Sequence, residues 1–479
     1  MGLFWTLTSW LTITVNICTA AWPNGPFTTS GRWITDASGA NITHVGVNWP
    51  GHGEVMIPEG LQHQAIPTIV SKIKSLGMNA IRLTYAIEMI DQIYDNGDRD
   101  VTIEVALTSA LGHENGSKIL ERVIQNNPSF SSTTTRLQVF DAVAAECARQ
   151  EIYIALDNHV SKAGWCCNPL DGNSWWGDTY FSVTNWTRGL SFMAEHGKSW
   201  PALTSMSLRN EPRQPLTNFT LYSETYNWQT WYHYTKLGAS AINAANADLL
   251  ILLPGMDSST QLGAIVRGEP LAPGTAPFNK TDFARDYTDK LVLEMHAYSI
   301  LASDRPTDCA SFAARLYSNG FEALADGAAN RFPLLVTEFG FAQDETTWRS
   351  DVYAVCIADY LPAQRVGWFL WVVAGSYYVR EGRHDDDEPW GLLTHDWSGW
   401  RSPGFVEGGL TEMVDATLEW VGRGAVEGGE GDGGSGGGSG SVGNGQASEN
   451  AAGAGRHTQA FLVVLVWTGM AILISSRRF

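Results

Sequence analysis

The sequence predicts an α/β protein, a closed (β/α)8 barrel with a small N-terminal hairpin ahead of it. Three observations carry this. Eight apolar runs of strand length recur between residues 42 and 373, and most are followed by a segment of helical period. Two of the runs, at 204–212 and 333–340, close on a glutamate, Glu211 and Glu338. A barrel gathers strand-end groups of this kind at one rim. No glycine-rich dinucleotide fingerprint follows the first strand, so the rival arrangement, a doubly wound open sheet, lacks its usual ligand signal.

Taken in order, residues 27–42 alternate around Asp36-Ala37-Ser38-Gly39, a turn signal, and predict a hairpin that plugs the bottom of the barrel. Strands are expected at 42–49, 79–86, 152–159, 204–211, 249–256, 290–298, 333–341 and 366–373. Pro212 cannot donate to a sheet ladder, so the fourth strand stops before it. Helical period covers 60–76, 102–111, 118–125, 134–150, 188–196, 222–245, 311–326, 346–360 and 410–421. A long aromatic loop bearing Cys166 and Cys167 follows the third strand.

The polar residues at the strand ends are Asn48-Trp49, Arg82, His159, Asn210-Glu211, His296 with Tyr298, Glu338 and Trp371. A lone strand histidine or arginine is ordinarily structural. Here all fall at corresponding ends of successive strands. Two glutamates meeting at one rim suit glycoside hydrolysis, which needs one carboxyl as acid and another as nucleophile or base. The segments Ile81-Arg82-Leu83, Asp157-Asn158-His159, Leu208-Arg209-Asn210-Glu211-Pro212, His296-Ala297-Tyr298, Thr337-Glu338-Phe339-Gly340 and Trp371 resemble glycoside hydrolase family 5, the cellulase family. The resemblance spans residues 27–421. Gly164-Trp165-Cys166-Cys167 and the stretch 375–382 further resemble one subgroup of it.

That resemblance implies Glu338 as nucleophile and Glu211 as acid/base. It also implies that Arg82 and Tyr298 hydrogen-bond Glu338, and that His296 supports Glu211. Asn210 is expected to bind the sugar 2-hydroxyl, His159 to line the same subsite, and Trp371 to floor it. The Glu211 carboxyl should be raised by burial and by the charge of Glu338. A retaining pair should stand roughly 5–5.5 Å apart, against 6.5–9.5 Å for an inverting pair. The expected substrate is a β-linked polysaccharide, with no metal and no cofactor. Two alternatives remain: a transglycosylase remodelling wall glucan, and a non-catalytic carbohydrate-binding surface protein.

The 479 residues carry a formal net charge of −19, which argues against a nucleic-acid partner. Among 20 tryptophans, Trp175-Trp176 and Trp397 to Trp400 lie in polar stretches and read as sugar platforms as readily as core. Residues 1–20 are apolar and end in small residues, as a signal peptide does. Acceptor sequons at Asn41, Asn115, Asn185, Asn218 and Asn279 agree with secretion. Cys147 lies on the apolar face of a helix and reads as a free core thiol. Cys309 and Cys356 are then expected to pair, while Cys166 and Cys167 either bridge each other or pair elsewhere. The catalytic domain is expected over 21–425, followed by a Gly/Ser-rich linker at 426–457 and an apolar tail at 458–479. The tail reads as a glycolipid-anchor signal, with a single membrane span as the alternative. The expected product is a monomeric enzyme held at the outer face of the cell.

Overall fold

A computed structural model describes residues 22–283, 285–299 and 305–421. The expected signal peptide, the linker and the apolar tail lie outside the described residues.

Eight parallel strands close into a barrel, in chain order around the ring. They are β4 (Val45–Trp49), β5 (Ala80–Ala86), β6 (Tyr153–Val160), β7 (Leu203–Ser207), β8 (Leu250–Pro254), β9 (Leu291–His296), β10 (Leu334–Phe339) and β11 (Gly367–Leu370). The predicted fold and all eight strands are therefore present, most of them a residue or more shorter than predicted. The N-terminal hairpin is a three-stranded sheet of β1 (Thr28–Ser30), β2 (Trp33–Thr35) and β3 (Asn41–Ile42). Its second turn forms because Asp36 Oδ1 accepts from the backbone of Ser38 and Ala40. Phe27, Ile34 and Ile42 pack with Ala80, Ala155, Leu250, Val292, Leu335 and Phe369, so the sheet seals the lower lumen with apolar side chains.

The helices differ from their predicted bounds at capping residues. The helix expected at 60–76 begins only at Ile66, where Pro67 takes a first-turn position that tolerates a missing N–H. The one expected at 222–245 is two helices. Asn227 caps the second by accepting from the Thr230 backbone. Asp351 divides the 346–360 segment in the same way, accepting from Ala354. Several elements were missed, among them a helix and a hairpin. Ile87–Asp95 is a helix directly after β5. A hairpin of β12 (Ser376–Arg380) and β13 (Arg383–Asp387) stands above the last barrel strand.

Cys309 and Cys356 are joined, their Cα atoms 5.1 Å apart, and Cys147 is free and buried. Cys166 and Cys167 bridge each other. The platform reading of two tryptophan clusters is corrected. Trp175, Trp176 and Trp397 are fully buried. Trp175 packs edge-on against both Trp176 and Tyr226 at 4.7 Å, so the polar residues around it are a lid over core aromatics. Trp400 is partly buried beneath the Lys72 ammonium, 5.4 Å from its ring.

Candidate active site

Side chains alternate along a strand, so residues two apart share the lumen. Three strands climb in step from apolar to charged: Ala80 and Arg82 on β5; Ala155, Asp157 and His159 on β6; Val292, Glu294 and His296 on β9. The apolar rungs meet the N-terminal sheet, and the charged rungs meet one another one layer up.

Arg82 is the centre of that layer and is fully buried. Its guanidinium donates to Glu338 Oε1 at 2.6 Å, Asn48 Oδ1 at 2.9 Å, Asn210 Oδ1 at 2.9 Å and Glu294 Oε1 at 3.2 Å. Asp157 Oδ1 lies 2.9 Å from the same cation. Glu294 also receives Thr337 Oγ1 at 2.8 Å and meets Ser207 Oγ at 2.5 Å. Three carboxyls thus share one buried cation. Burial raises the pKa of both Asp157 and Glu294, and Arg82 opposes that rise.

Glu338 reaches this layer through an irregularity. Leu335 faces the lumen and Thr337 bonds Glu294 there, so strict alternation would turn Glu338 outward. The register of β10 against β9 slips between Val336 and Glu338, which returns the glutamate to the rim. Its second oxygen, Oε2, accepts from the Tyr298 hydroxyl at 3.0 Å. Burial pushes its pKa up, while His296 and Arg82 pull it back.

Glu211 lies beyond β7, which ends at Ser207. Its φ of 46° is a left-handed conformation uncommon for a residue with a Cβ. The turn is held on one side by Asn210 N bonding to Asn158 O at 2.9 Å, and on the other by Ser258 N bonding to Pro212 O at 3.1 Å. The carboxyl is thereby aimed at His296, whose Nδ1 is 2.9 Å from Glu211 Oε1 and 3.5 Å from Glu338 Oε2. Burial lifts the Glu211 carboxyl from its ordinary 4.5 to about 7; Arg213 and Arg82 oppose this, and Asp157 is the charge that adds most to it. The share expected from Glu338 is smaller than that of Asp157.

Both rim histidines are held neutral, chiefly by burial. His159 meets Asp157 Oδ2 through Nδ1 at 2.6 Å. A neutral ring that donates there leaves Nε2 as an acceptor, facing Asn210 Nδ2 at 3.4 Å. The Asn210 amide is therefore oriented from both ends. Over these groups opens a cavity of about 370 Å³, walled by Trp165, Trp371, Trp390, Tyr298 and His159. A carboxylate oxygen of Glu211, one of Glu338 and a nitrogen of His296 all lie within 4.8 Å of one another.

A model of the cellulase family, glycosyl hydrolase family 5, matches residues 35–376. The chain belongs to that family. It is similar to a glycosyl hydrolase 5 family protein of Chamaecyparis obtusa, 34% identical over 390 residues, which are 80% of this chain and 65% of that protein. This chain thus spans about two thirds of that relative's length. It is also similar to the major extracellular endoglucanase of Xanthomonas campestris pv. campestris, 23% identical over 78% of this chain and 68% of that one. Among solved structures, the hyperthermophilic endocellulase of Pyrococcus horikoshii superposes with a TM-score of 0.57 at 18% identity, covering 82% of this chain and 98% of that one. That likeness is one of fold.

Of the ten strand-end residues singled out from the sequence, the structure brings nine together, Asn48, Arg82, His159, Asn210, Glu211, His296, Tyr298, Glu338 and Trp371, whereas Trp49 is buried in the apolar core and donates to Glu59 O at 3.0 Å. Glu294 was missed. An acid inside the apolar run of β9, two residues before His296, was the available signal, because such a residue is rarely buried without a partner. Trp165 and Trp390 were also missed as walls. So was the hairpin's part: the Arg380 guanidinium lies 3.7 Å over the Trp165 ring and donates to Glu388 Oε2 at 3.1 Å, and both residues line the cavity.

Proposed function

We propose that this family 5 enzyme is a retaining glycoside hydrolase of β-linked glucan, with Glu338 as nucleophile and Glu211 as acid/base. The observation that carries the reading is the short separation of the two carboxyls, within 4.8 Å oxygen to oxygen. That agrees with the roughly 5–5.5 Å of a retaining pair better than with the about 6.5–9.5 Å of an inverting one. The endoglucanase relative of Xanthomonas campestris pv. campestris supports a β-glucan as substrate.

The chemistry follows from the neighbours of each carboxyl. Glu338, hydrogen-bonded by Arg82 and Tyr298, attacks the anomeric carbon as a carboxylate. Glu211, held protonated by burial, gives its proton to the leaving oxygen. It then takes one from the water that releases the sugar from Glu338. The Asn210 amide nitrogen faces the sugar 2-hydroxyl, a contact that tightens as positive charge grows on the ring. Trp371 lies under the sugar, stacked on His159 at 5.6 Å.

Proton NMR of the first product released from a β-glucan is expected to show the β anomer ahead of mutarotation. The α anomer appearing first removes the retaining mechanism. Chains longer than the substrate would mark glycosyl transfer, and binding without turnover would mark a carbohydrate-binding protein.

The same reading places the enzyme outside the cell. The two disulfides among the described residues support an oxidising compartment, and one relative is an extracellular endoglucanase. Asn115, Asn218 and Asn279 are exposed, as glycan acceptors must be, while Asn41 and Asn185 are half-buried. Among the described residues no helix is long and apolar enough to cross a membrane. Tethering therefore rests on residues 458–479, read as an anchor signal cleaved near Asn450 or Ala451. Phosphatidylinositol-specific phospholipase C is expected to release activity from intact cells. Activity that stays bound, with the Arg477-Arg478-Phe479 peptide still present in the mature protein, would establish a membrane span instead.

A further inference from the structure

We propose that the Cys166–Cys167 disulfide is a positioning element of the reaction, a rigid apolar piece of pocket wall that aims the Asn210 amide and keeps water from one side of the Glu211 carboxyl. The inference rests on the reading of Glu211 as the acid/base.

Both cysteines line the cavity, Cys166 at 8% exposure and Cys167 half-buried. Their sulfurs lie 3.5 and 3.7 Å from Asn210 Nδ2. Both sulfurs and a Glu211 carboxylate oxygen fall within 4.8 Å of one another. The bridge therefore touches the two neighbouring residues on which protonation of the leaving group and recognition of the 2-hydroxyl depend.

The effect on Asn210 follows from donor and acceptor strengths. Its Oδ1 is taken by the charged Arg82, a strong bond that fixes which end of the amide points down. The Nδ2 end faces the two sulfurs and the 3.4 Å contact to His159 Nε2. Sulfur accepts hydrogen bonds weakly. It fills the space beside the N–H groups without competing with a sugar hydroxyl for them.

The effect on Glu211 follows from what else surrounds it. His296 Nδ1 is 2.9 Å away, the Ser258 side chain hydrogen-bonds the carboxyl, and the charges of Arg213, Arg82, Asp157 and Glu338 act on it. Arg213, Arg82 and Ser258 all favour the carboxylate. The disulfide, within 4.8 Å of the carboxylate, cannot solvate a negative charge, so it acts with burial to keep the proton on. It is also braced. Arg213 Nη1 lies 3.9 Å from Cys166 Sγ and its Nη2 pairs with Asp171, tying the cysteine loop to the loop that carries Glu211.

A bridge that merely stapled its own loop would alter stability and leave the pH profile in place. The test is the pH dependence of kcat/KM for Cys166→Ala/Cys167→Ala and for Cys166→Ser/Cys167→Ser. Opening the wall to water should move the basic limb down by about one pH unit from its position near 7. At pH 7 that costs about fivefold in rate. The serine pair should shift further than the alanine pair, because hydroxyls hydrate the carboxylate. An unmoved basic limb in folded double variants overturns the proposal.

Should the variants not fold, wild-type enzyme treated with dithiothreitol gives the same readout. The reagent reduces the bridge to two thiols and is itself oxidised to a cyclic disulfide, and alkylation followed by peptide mass identifies Cys166 and Cys167 as open. A limb that stays in place once they are open again overturns the proposal. Glu211→Gln separates the two failures. If it leaves the wild-type basic limb intact, the acid/base reading is wrong. If it removes the limb and loss of the disulfide does not move it, only the role of the disulfide is wrong.

Discussion

Glu338→Ala is expected to lower kcat on β-glucan by on the order of 10⁴-fold or more while the barrel stays folded. The loss is large because nothing else at the rim can form the covalent bond. On the proposed mechanism Glu211 carries the proton, and burial lowers the pKa of His296 behind both glutamates. The fold survives because Arg82 keeps Asp157 at 2.9 Å and Glu294 at 3.2 Å, so no buried cation is stranded. Truncation leaves a small hole beside the anomeric carbon. Azide is expected to enter it and restore turnover, giving a glycosyl azide of the opposite anomeric configuration. Thermal melting and circular dichroism check the fold, and initial rates check the chemistry. Activity near that of the wild type would remove Glu338 as nucleophile, and azide product of retained configuration would assign it the proton instead.

Glu211→Gln is expected to cost on the order of 10²–10⁴-fold in kcat on substrates with poor leaving groups. It should cost far less in the first step with an aryl glycoside, whose leaving group needs no proton. The pH profile gives a second, independent readout. The acid must be protonated in the free enzyme, so kcat/KM falls as pH rises through about 7, where burial has set this carboxyl. Glu338 must be ionised. Its pKa is raised as well, so the acidic limb should lie above the ordinary carboxyl range. The amide introduced by Glu211→Gln has no proton to lose in this range, and the basic limb should vanish while the acidic limb remains. A basic limb persisting near 7 in that variant would assign it to another group.

Much of the architecture was legible because it rests on local regularities. Strand and helix periods, eight times over, leave few ways to bury every apolar face, and a closed barrel is the one found. The rim set was legible for a related reason. Polar residues at the ends of otherwise apolar runs must surface together once the strands are parallel. Element ends were less legible, since Asn227 and Asp351 divide helices through single side-chain caps that periodicity passes over.

What only the tertiary structure decided depends on neighbours distant in sequence. Alternation alone turns Glu338 outward; the slipped register against β9 turns it in. The left-handed backbone of Glu211 is set by bonds from its loop to β6 and to the turn after β8. Polar surroundings made Trp175 and Trp176 look exposed, yet Tyr226 and Trp186 close over them from other segments. The proton on Glu211 is the same kind of property. Any glutamate ionises near 4.5 in water, and this one is moved to about 7 by burial and by Asp157, against the opposing charges of Arg213 and Arg82, all of which the chain assembles around it from separate strands and loops. Composition and spacing determine which groups reach the rim. Burial and charge, summed over three dimensions, determine which of them holds a proton.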